Sequence, residues 1–439
     1  MKFTKLSLVA ALAVSSAFAG GDIAPVEPAA PMVEEKPSWE FGGQAVVYYQ
    51  TIDAYGGSDL FKQGSSVADT GLQLKATNKD LIGGLGVGIT LDGVTTLGLE
   101  HSIVSNVMQT ANGIKGGWIA EAYLTYNIGN TMLKGGRMTL PAGLSPFAHS
   151  ENWNVFENTY DAGLIVNTDI SNTVLVGAWV YANNTNGYAQ FHDGAPTTPP
   201  SAGPHNFLKT AIGIHNSPRN GLGYIGGEYA NMADFGNTNG NDGVFMLTAQ
   251  NTSIENLTLT GSYYYGNDFL GLGEALNIWW VDGKYKFSNF EIALQGGQVL
   301  DSALPKDTTA FGAKISGTFA GIGAYIAYSN VDDGTTGIFN VGGQQTPLYT
   351  QMIINEGAIR SDNDTFVIGA HTTLLGGTLG AGYGTTSGDV SGYDYDEIDI
   401  YYTTDLFDGG NILVGYVNMD DNVRADANNV IRVVGRYNF

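Results

Sequence analysis

Residues 431–439 read Ile-Arg-Val-Val-Gly-Arg-Tyr-Asn-Phe, and polar and apolar side chains alternate along them. A repeat of two is the period of a β-strand, whose successive side chains point to opposite faces. Tyr437 and Phe439 share one face, and Arg432 and Arg436 share the other. A charge facing lipid near mid-membrane costs about 2–4 kcal/mol. The stretch therefore predicts a strand with an apolar face toward hydrocarbon and both arginines toward water.

The same alternation recurs from Trp39 onward. It is clearest at residues 41–49, 118–128, 311–319, 366–374 and 398–402. Aromatic side chains near predicted strand ends favour membrane-interface girdles: Tyr49, Trp118, Tyr126, Phe207, Trp279, Trp280, Tyr402 and Phe439. No segment after Trp39 is long and apolar enough to predict a membrane-spanning helix, which needs about 20 consecutive apolar residues.

The connections between these strands fall into two classes that take turns along the chain. Short turns are predicted at 79–83, 128–131, 169–172, 216–221, 252–256, 287–289, 319–322, 375–377 and 405–410. Longer polar stretches lie between them, at 52–66, 98–117, 139–156, 183–205, 232–242, 266–273, 300–308, 330–363, 386–394 and 419–429. Short periplasmic turns alternating with long extracellular loops are typical of bacterial outer-membrane barrels.

These patterns together predict an all-β protein, a closed antiparallel transmembrane barrel. An open sheet edge in lipid would leave backbone N–H and C=O groups without partners, so the sheet must close on itself. The strands number about twenty by this pattern. With 16 or more strands, the lumen of such a barrel is wide enough to hold water.

Composition narrows the function classes. Asp and Glu number 42 against 19 Lys and Arg, a formal net charge of −23, and this excess argues against a nucleic-acid partner. Cysteine is absent, which excludes disulfides and thiolate chemistry. The six histidines show no metal-site spacing, and no catalytic motif is present, so we expect no enzyme and no cofactor.

The N-terminus predicts export. Lys2 and Lys5 precede an apolar run and an Ala17-Phe18-Ala19 cleavage site, as in a secretory signal peptide. We expect residues 1–19 to be this cleaved signal, 20–38 to be a disordered Pro/Glu-rich lead-in, and 39–439 to form the barrel. The protein would then reside in the outer membrane of a Gram-negative cell.

A family resemblance comes from residues 137–180. The stretch begins Arg137-x-x-Leu140-Pro141, continues with Asn158-Thr159-Tyr160-Asp161, and includes Asn-Thr-Asp-Ile-x-Asn-Thr over 167–173. It resembles the third-loop region of the OprD-like porins, and more specifically the major outer-membrane porins of Campylobacter and its relatives. Residues 80–100 resemble the preceding hairpin. The detailed match covers about a sixth of the chain.

The resemblance implies an 18-stranded barrel, usually a homotrimer in the Campylobacter branch, with the third loop folded into the lumen. We favour eighteen strands over our own count of twenty, because single-strand predictions are weak. Such barrels present a last strand ending in an aromatic residue to their assembly machinery, which makes Phe439 the expected contact.

Charged residues on the water-facing side of the strands, or in the third loop, are the candidate pore-lining and constriction residues. Acids on the loop facing a basic wall would set up a transverse field across the lumen. They are Arg137, His149, Glu151, Glu157, Asp161, Lys314, Glu397, Asp399, Arg432 and Arg436.

The leading hypothesis is a porin for passive diffusion of small hydrophilic solutes and ions, mildly cation-selective because of the acid excess. An alternative is a substrate-specific channel of the same fold for carboxylates or amino acids. More remote alternatives are a barrel enzyme, for which His149 with Glu151 is the sole local candidate, and a surface adhesin. Asp clusters in the outer loops could bind Ca²⁺ or bridge to lipopolysaccharide: Asp332-Asp333, Asp389 with Asp394 and Asp396, and Asp420-Asp421.

Overall fold

The computed structural model shows a barrel of eighteen long antiparallel strands. The structure describes residues 39–53, 59–104, 107–109, 111, 115–184, 186, 191–192, 195–196, 232–233, 235–239, 242–270, 272–338, 340–388, 392–422 and 427–439. The predicted signal and lead-in lie outside these residues. The strands are β1 (Trp39–Asp53), β2 (Ser66–Ile82), β3 (Leu85–Thr95), β4 (Lys115–Ile128), β5 (Thr131–Met138), β6 (Tyr160–Asn167), β7 (Thr173–Asn183), β8 (Val244–Asn251), β9 (Leu257–Gly266), β10 (Leu276–Phe287), β11 (Phe290–Leu300), β12 (Thr308–Phe319), β13 (Ile322–Val331), β14 (Asn363–Leu374), β15 (Gly377–Gly388), β16 (Asp394–Phe407), β17 (Gly410–Asp421) and β18 (Asn428–Asn438).

Each strand pairs with its chain neighbours, and β18 pairs with β1 to close the sheet. The register runs from Gln44 opposite Asn438 to Asp53 opposite Asn429. The barrel therefore has no open edge among these strands, as the argument from lipid solvation requires. The two-residue segment Gly236–Asn237 adds a short pairing onto β7, and Phe191–His192 pairs separately with Ala195–Pro196.

The prediction of eighteen strands is confirmed. The pattern count of twenty included two strands around the predicted turn at 216–221, and these residues lie outside the described part of the chain. β7 pairs directly with β8, so the sheet closes through these two strands.

Short turns and long loops occupy opposite ends of the barrel, as predicted. The turns connect β2 to β3, β4 to β5, and so on to β16 and β17, and each lies within or beside a predicted turn. In the turns at Gly83-Gly84, Ala320-Gly321 and Leu375-Gly376, both central residues have positive φ. This is the geometry that matches the twist of a tight hairpin.

The two faces of the wall differ as the alternation predicts. On β1, Phe41 and Val47 are 77% and 60% exposed on the outer face, whereas Val46 and Tyr48 are buried on the inner face. Trp118 departs from its predicted position on the outer girdle. The register shifts between Thr90 and Leu91 opposite β4, and beyond this irregularity Trp118 is buried on the lumenal side.

Among the described residues, the third and seventh of the long loops fold into the barrel. The third, L3 (139–159), was predicted to do so. The seventh, L7 (332–362), was predicted to be an outer loop, yet Ile338, Leu348, Met352 and Ala358 are buried within the barrel. Its apolar side chains interrupt a polar stretch and pack against the lumenal wall. No helix in the described ranges is long and apolar enough to cross a membrane.

Candidate functional site: a lumen narrowed by two loops

L3 is anchored at one end by aromatic packing. The Phe147 ring lies 5.6 Å from that of Tyr264 and 5.3 Å from that of Trp280, both edge-to-face. Edge-to-face pairs place a positive ring edge against a negative ring face and add to the free energy of burial. The hydroxyl of Thr248 donates to the Leu144 carbonyl, 2.9 Å away. This end of L3 is therefore fixed to β8, β9 and β10.

The other end of L3 is held by a cation on the last strand. The Arg436 guanidinium donates to the carbonyl oxygens of Asn154 at 2.6 Å and Val155 at 2.9 Å. The Phe156 ring packs where Gly71 leaves room: a Cβ at Gly71 would lie 2.6 Å from that ring. L3 thus reaches from β8–β10 across to β18 and β2.

L7 is held by carboxylates of the wall. Glu397 accepts a hydrogen bond from the backbone N–H of Ile354 at 3.0 Å, and Asp399 accepts from Ile353 N–H at 3.1 Å. The hydroxyl of Tyr349 donates to Asp282 on β10. L7 therefore follows the inner wall from β10 to β16.

The two loops are joined through Glu151, whose side chain is almost fully buried. Its carboxylate accepts hydrogen bonds from the side-chain amide of Asn340 at 2.9 Å and from the backbone N–H groups of Gln344 and Gln345, each at 2.8 Å. The Trp153 indole N–H donates to it as well, at 2.8 Å. Glu151 lies on L3, and the first three donors lie on L7.

The lumenal wall also carries charged side chains. Lys75 lies 3.6 Å from Glu121, and Lys286 lies 3.7 Å from Glu291. The two lysine side chains are 44% and 48% exposed. Glu157 on L3 lies close enough to Glu121 for the two charges to interact. Burial raises the pKa of the Glu157 carboxyl, the charge of Glu121 raises it further, and the charge of Arg436 lowers it.

The barrel superposes on solved structures from Pseudomonas aeruginosa. OccK8 (OprE) of Pseudomonas aeruginosa superposes with a TM-score of 0.66 at 12% identity, over 91% of this chain and 98% of that chain. OccD3 (OpdP) gives 0.65 at 12% identity, over 99% and 96%. OpdK, solved with vanillate, gives 0.65 at 13% identity, over 91% and 98%. The fold is that of the OprD-like porins. The sequence matches no family model and no curated protein.

Within this OprD-like barrel, Arg432 and Arg436 lie on the lumenal face that the alternation predicts. Arg432 donates from Nε to Gln50 at 2.9 Å and lies near the Trp153 ring of L3. Lys314 also lies on this face, 4.9 Å from the centre of the Tyr325 ring. Glu397 and Asp399 are lumenal too, but L7 covers them.

Arg137 and Asp161 were predicted to face the lumen, and the structure places them on the outer face. Their chain neighbours Met138 and Tyr160 are fully buried against L3, so the alternation turns Arg137 and Asp161 outward. Arg137 donates to both carboxylate oxygens of Asp161, at 2.7 and 3.0 Å. The lipid argument failed here because both residues lie at the strand ends next to L3, and each neutralises the other.

His149 and Glu151 were predicted to line the constriction, and both are buried inside the loop layer instead. His149 Nδ1 lies 3.1 Å from the Pro146 carbonyl. Burial lowers the pKa of this imidazole, and the nearby Glu151 carboxylate opposes the shift only in part. A neutral, enclosed histidine beside a fully hydrogen-bonded carboxylate is a structural pair, so this candidate for a barrel enzyme has no geometric support.

The acidic outer loops gain no support as metal sites. Among the residues that the structure describes, no group of three His, Asp or Glu side chains is placed to hold a metal ion. Asp389, one member of the predicted clusters, lies outside them. Asp332 accepts hydrogen bonds from the N–H groups of Thr309 and Gly334, which is a turn-stabilising role.

Several functional side chains were missed from sequence, above all the buried amides. Gln109, Asn184, Asn186 and Asn340 are each fully buried between loops. A signal was present in the Asn183-Asn184-Thr185-Asn186 run directly after β7, because Asn side chains bond to nearby backbone rather than extend a strand. Trp280, predicted for the girdle, holds Phe147 instead.

Proposed function

We propose that the chain forms a water-filled outer-membrane channel for passive diffusion of small hydrophilic solutes and ions. The observation that carries the proposal is the contrast between the two faces of one closed wall. The outer face exposes side chains such as Leu247 and Ile315, whereas the lumenal face carries water-accessible charges such as Lys75 and Lys286. Charged side chains line a lumen only where water or solutes can solvate them.

Planar-bilayer recording tests this proposal. Purified protein should insert and give discrete current steps that rise in proportion to voltage. The matched control is protein unfolded before addition, which should give no steps. A bilayer that stays closed although folded protein has inserted would contradict the channel.

We further propose mild cation selectivity, generated at the extracellular mouth. Exposed acidic side chains outnumber exposed basic ones in the described outer loops: Asp59, Asp268, Glu274, Asp307 and Asp333 stand against Lys62 and Lys306. Excess negative charge at a pore entrance raises the local cation concentration. The reversal potential in a KCl gradient should favour K⁺. The preference should weaken at high salt, because the Debye length falls from about 10 Å at 0.1 M to about 3 Å at 1 M. An anion-favouring potential would contradict it.

A second candidate is selective passage of carboxylates or amino acids. It is favoured by lysines on the lumenal face of β10 and β12, namely Lys284, Lys286 and Lys314, and one structural neighbour was solved with the carboxylate vanillate. Liposome swelling with matched neutral, carboxylate and zwitterionic solutes distinguishes the two. Saturable uptake of one class, reduced in a Lys286→Gln variant, would favour this candidate over general diffusion.

We also propose that the barrel resides in the outer membrane among lipid and lipopolysaccharide and assembles as a homotrimer, as the resemblance to the Campylobacter porins implies. The Phe439 ring is half-exposed on the outer face and the residue pairs with Gly43 through two backbone hydrogen bonds. This placement supports a role for the last strand in templated insertion. Native mass spectrometry in detergent micelles would reveal a monomer if the trimer is wrong.

A further inference from the structure

The constriction loops meet at a buried hydrogen-bond network centred on the carboxylate of Glu151. Glu151 of L3 lies at its centre, and its oxygens accept from Asn340, Gln344 and Gln345 of L7. Asn340 also forms two hydrogen bonds with the backbone of His149. Its side-chain oxygen accepts from the His149 backbone N–H, and its side-chain nitrogen donates to the His149 backbone C=O, each at 2.8 Å. L3 and L7 are thus linked through both backbone and side chains.

Two more loops enter the same network. Asn186, from the loop after β7, donates to the Glu151 carbonyl at 2.7 Å, and its own N–H donates to the Gly342 carbonyl at 2.9 Å. Gln109, from the loop after β3, donates to Asn186 Oδ1 at 3.0 Å and exchanges two hydrogen bonds of 2.8 Å with Phe156. Four loops therefore converge on one set of buried polar groups.

The L7 backbone is shaped around the Glu151 carboxylate. Gly342 has a φ of +80°, and a Cβ at Gly343 would lie 2.0 Å from Glu151 Oε1. The turn that presents the N–H groups of Gln344 and Gln345 is therefore built from glycines that permit close approach. An acceptor with one charge shared over two oxygens can satisfy all of these donors, and a neutral side chain of the same size cannot.

We infer that Glu151 is the positioning residue that locks L3 and L7 into one rigid constriction. This inference rests on the proposed channel function. The Glu151 carboxylate does not line the permeation path, since it is enclosed by the two loops and hydrogen-bonded to them. Its effect is to hold two loops, which are anchored to different walls, in a single relative position, so that the channel has one main conductance level.

The test is single-channel recording of Glu151→Ala and Glu151→Gln. Loss of even one charge-assisted hydrogen bond should raise the population of an unlocked state by about tenfold. We expect added current levels and frequent transitions in both variants. Glu151→Gln keeps the size of the side chain but turns an NH₂ group toward backbone N–H donors, so it should show the same added current levels as Glu151→Ala. If Glu151 acted only by filling space, Glu151→Gln would instead behave like the wild type.

Glu157→Gln is the matched control, because it makes the same substitution on the same loop and the described residues show no hydrogen bond from Glu157 to L7. It should shift the reversal potential without adding current levels. Asn340→Ala should reproduce Glu151→Ala, and the double variant should add little, as expected for two partners in one contact. Circular dichroism of each variant shows whether the barrel has formed.

The outcomes separate the two proposals. If wild-type protein conducts and both Glu151 variants keep a single wild-type level, the locking role is wrong and the channel stands. If the wild type itself carries no current, the channel proposal is wrong. If Glu151→Ala does not fold but Glu151→Gln folds and shows one level, the locking role is again wrong.

Discussion

L3 and L7 both leave the long-loop end of the barrel and fold into its lumen, but the wall side chains that bind residues 154–155 of L3 and 353–354 of L7 carry opposite charges. Arg436 donates hydrogen bonds to carbonyl groups of L3, whereas Glu397 and Asp399 accept hydrogen bonds from N–H groups of L7. Backbone offers donors and acceptors equally, so a wall can bind a loop with either sign. The difference matters because an arginine keeps its charge at all working pH values and a carboxylate does not.

The loops also differ in apolar anchoring. L3 inserts Phe147 between Tyr264 and Trp280, and L7 packs the flexible side chain of Met352 against Ala327 and Val367. Interlocked aromatic rings fix a position more tightly than a methionine does. We therefore expect L3 to be the more rigid of the two loops.

Phe147→Ala should have the largest effect. Removing a buried phenylalanine costs about 3–5 kcal/mol, and here it frees the β8–β10 end of L3. We expect a lower urea midpoint by tryptophan fluorescence and a higher single-channel conductance. Phe245→Ala is the control, since Phe245 lies on the outer face of the same wall and is 53% exposed. An equal fall in the urea midpoint for the two variants would show that Phe147 does not anchor L3.

Arg436→Ala should cost about 3 kcal/mol, because the buried carbonyls of Asn154 and Val155 lose a charged donor. We expect a lower urea midpoint and a higher single-channel conductance, with Arg432→Ala as the control. Arg432 lies on the same strand and face, but its hydrogen bond runs to Gln50 on β1, and its contact with L3 is the Trp153 ring centre, 5.8 Å away. If Arg432→Ala increases conductance as much as Arg436→Ala does, the anchoring of L3 by Arg436 is disproved.

Glu397→Ala should cost about 1–2 kcal/mol, because the Ile354 N–H loses its acceptor. We expect L7 to become sensitive to limited proteolysis between residues 345 and 357 while L3 stays protected. Glu397→Gln retains a carbonyl acceptor, so L7 of this variant should resist proteolysis as it does in the wild type. Cleavage within L3 instead would reverse the predicted order of rigidity.

The last effect should come from pH and should fall mainly on L7. Burial raises the pKa of the Glu356 carboxyl on L7 to about 8, and nearby Glu397 adds to the shift. Since the folded pKa lies above the unfolded value of 4.5, the stability that protonated Glu356 supports is complete below about pH 4.5 and is lost as pH rises through about 8. Proteolysis of L7 should therefore increase toward alkaline pH.

Glu356→Gln should flatten this dependence, because the variant stays neutral at every pH. Protection of L3 should change less over the same range, since its anchor Arg436 keeps its charge and opposes the rise in the pKa of Glu157. A wild-type profile that is already flat would show that Glu356 does not titrate while L7 is docked.

Much of the fold was predictable because it depends on short-range rules. The period of two located the strands, and the turns were found at glycine, asparagine and aspartate clusters. Arg432 and Arg436 were assigned to the lumen because lipid excludes charge. The same rule failed for Arg137 and Asp161, because these two residues lie at strand ends near the rim and neutralise each other in an ion pair. Alternation failed for Trp118, because one irregularity in β4 reverses the side-chain faces beyond it.

The candidate site was less predictable. Glu151 was expected to contribute charge to the constriction, but it binds donors on L7 that lie about 190 positions further along the chain. L7 was taken for an outer loop because its composition is polar. Neither its infolding nor the identity of its partners follows from local pattern, since both depend on which walls face each other once the barrel has closed.

The amino-acid sequence by itself determined that this chain forms a closed antiparallel barrel with an apolar outer face, because side-chain alternation and the pairing of backbone groups are local properties of each strand. Only the tertiary structure decided how the lumen is narrowed. Closure brings β18, β2 and β8–β10 around one space, and there the hydrogen-bond partners of L3 and L7 are chosen by distance in three dimensions rather than by separation along the chain.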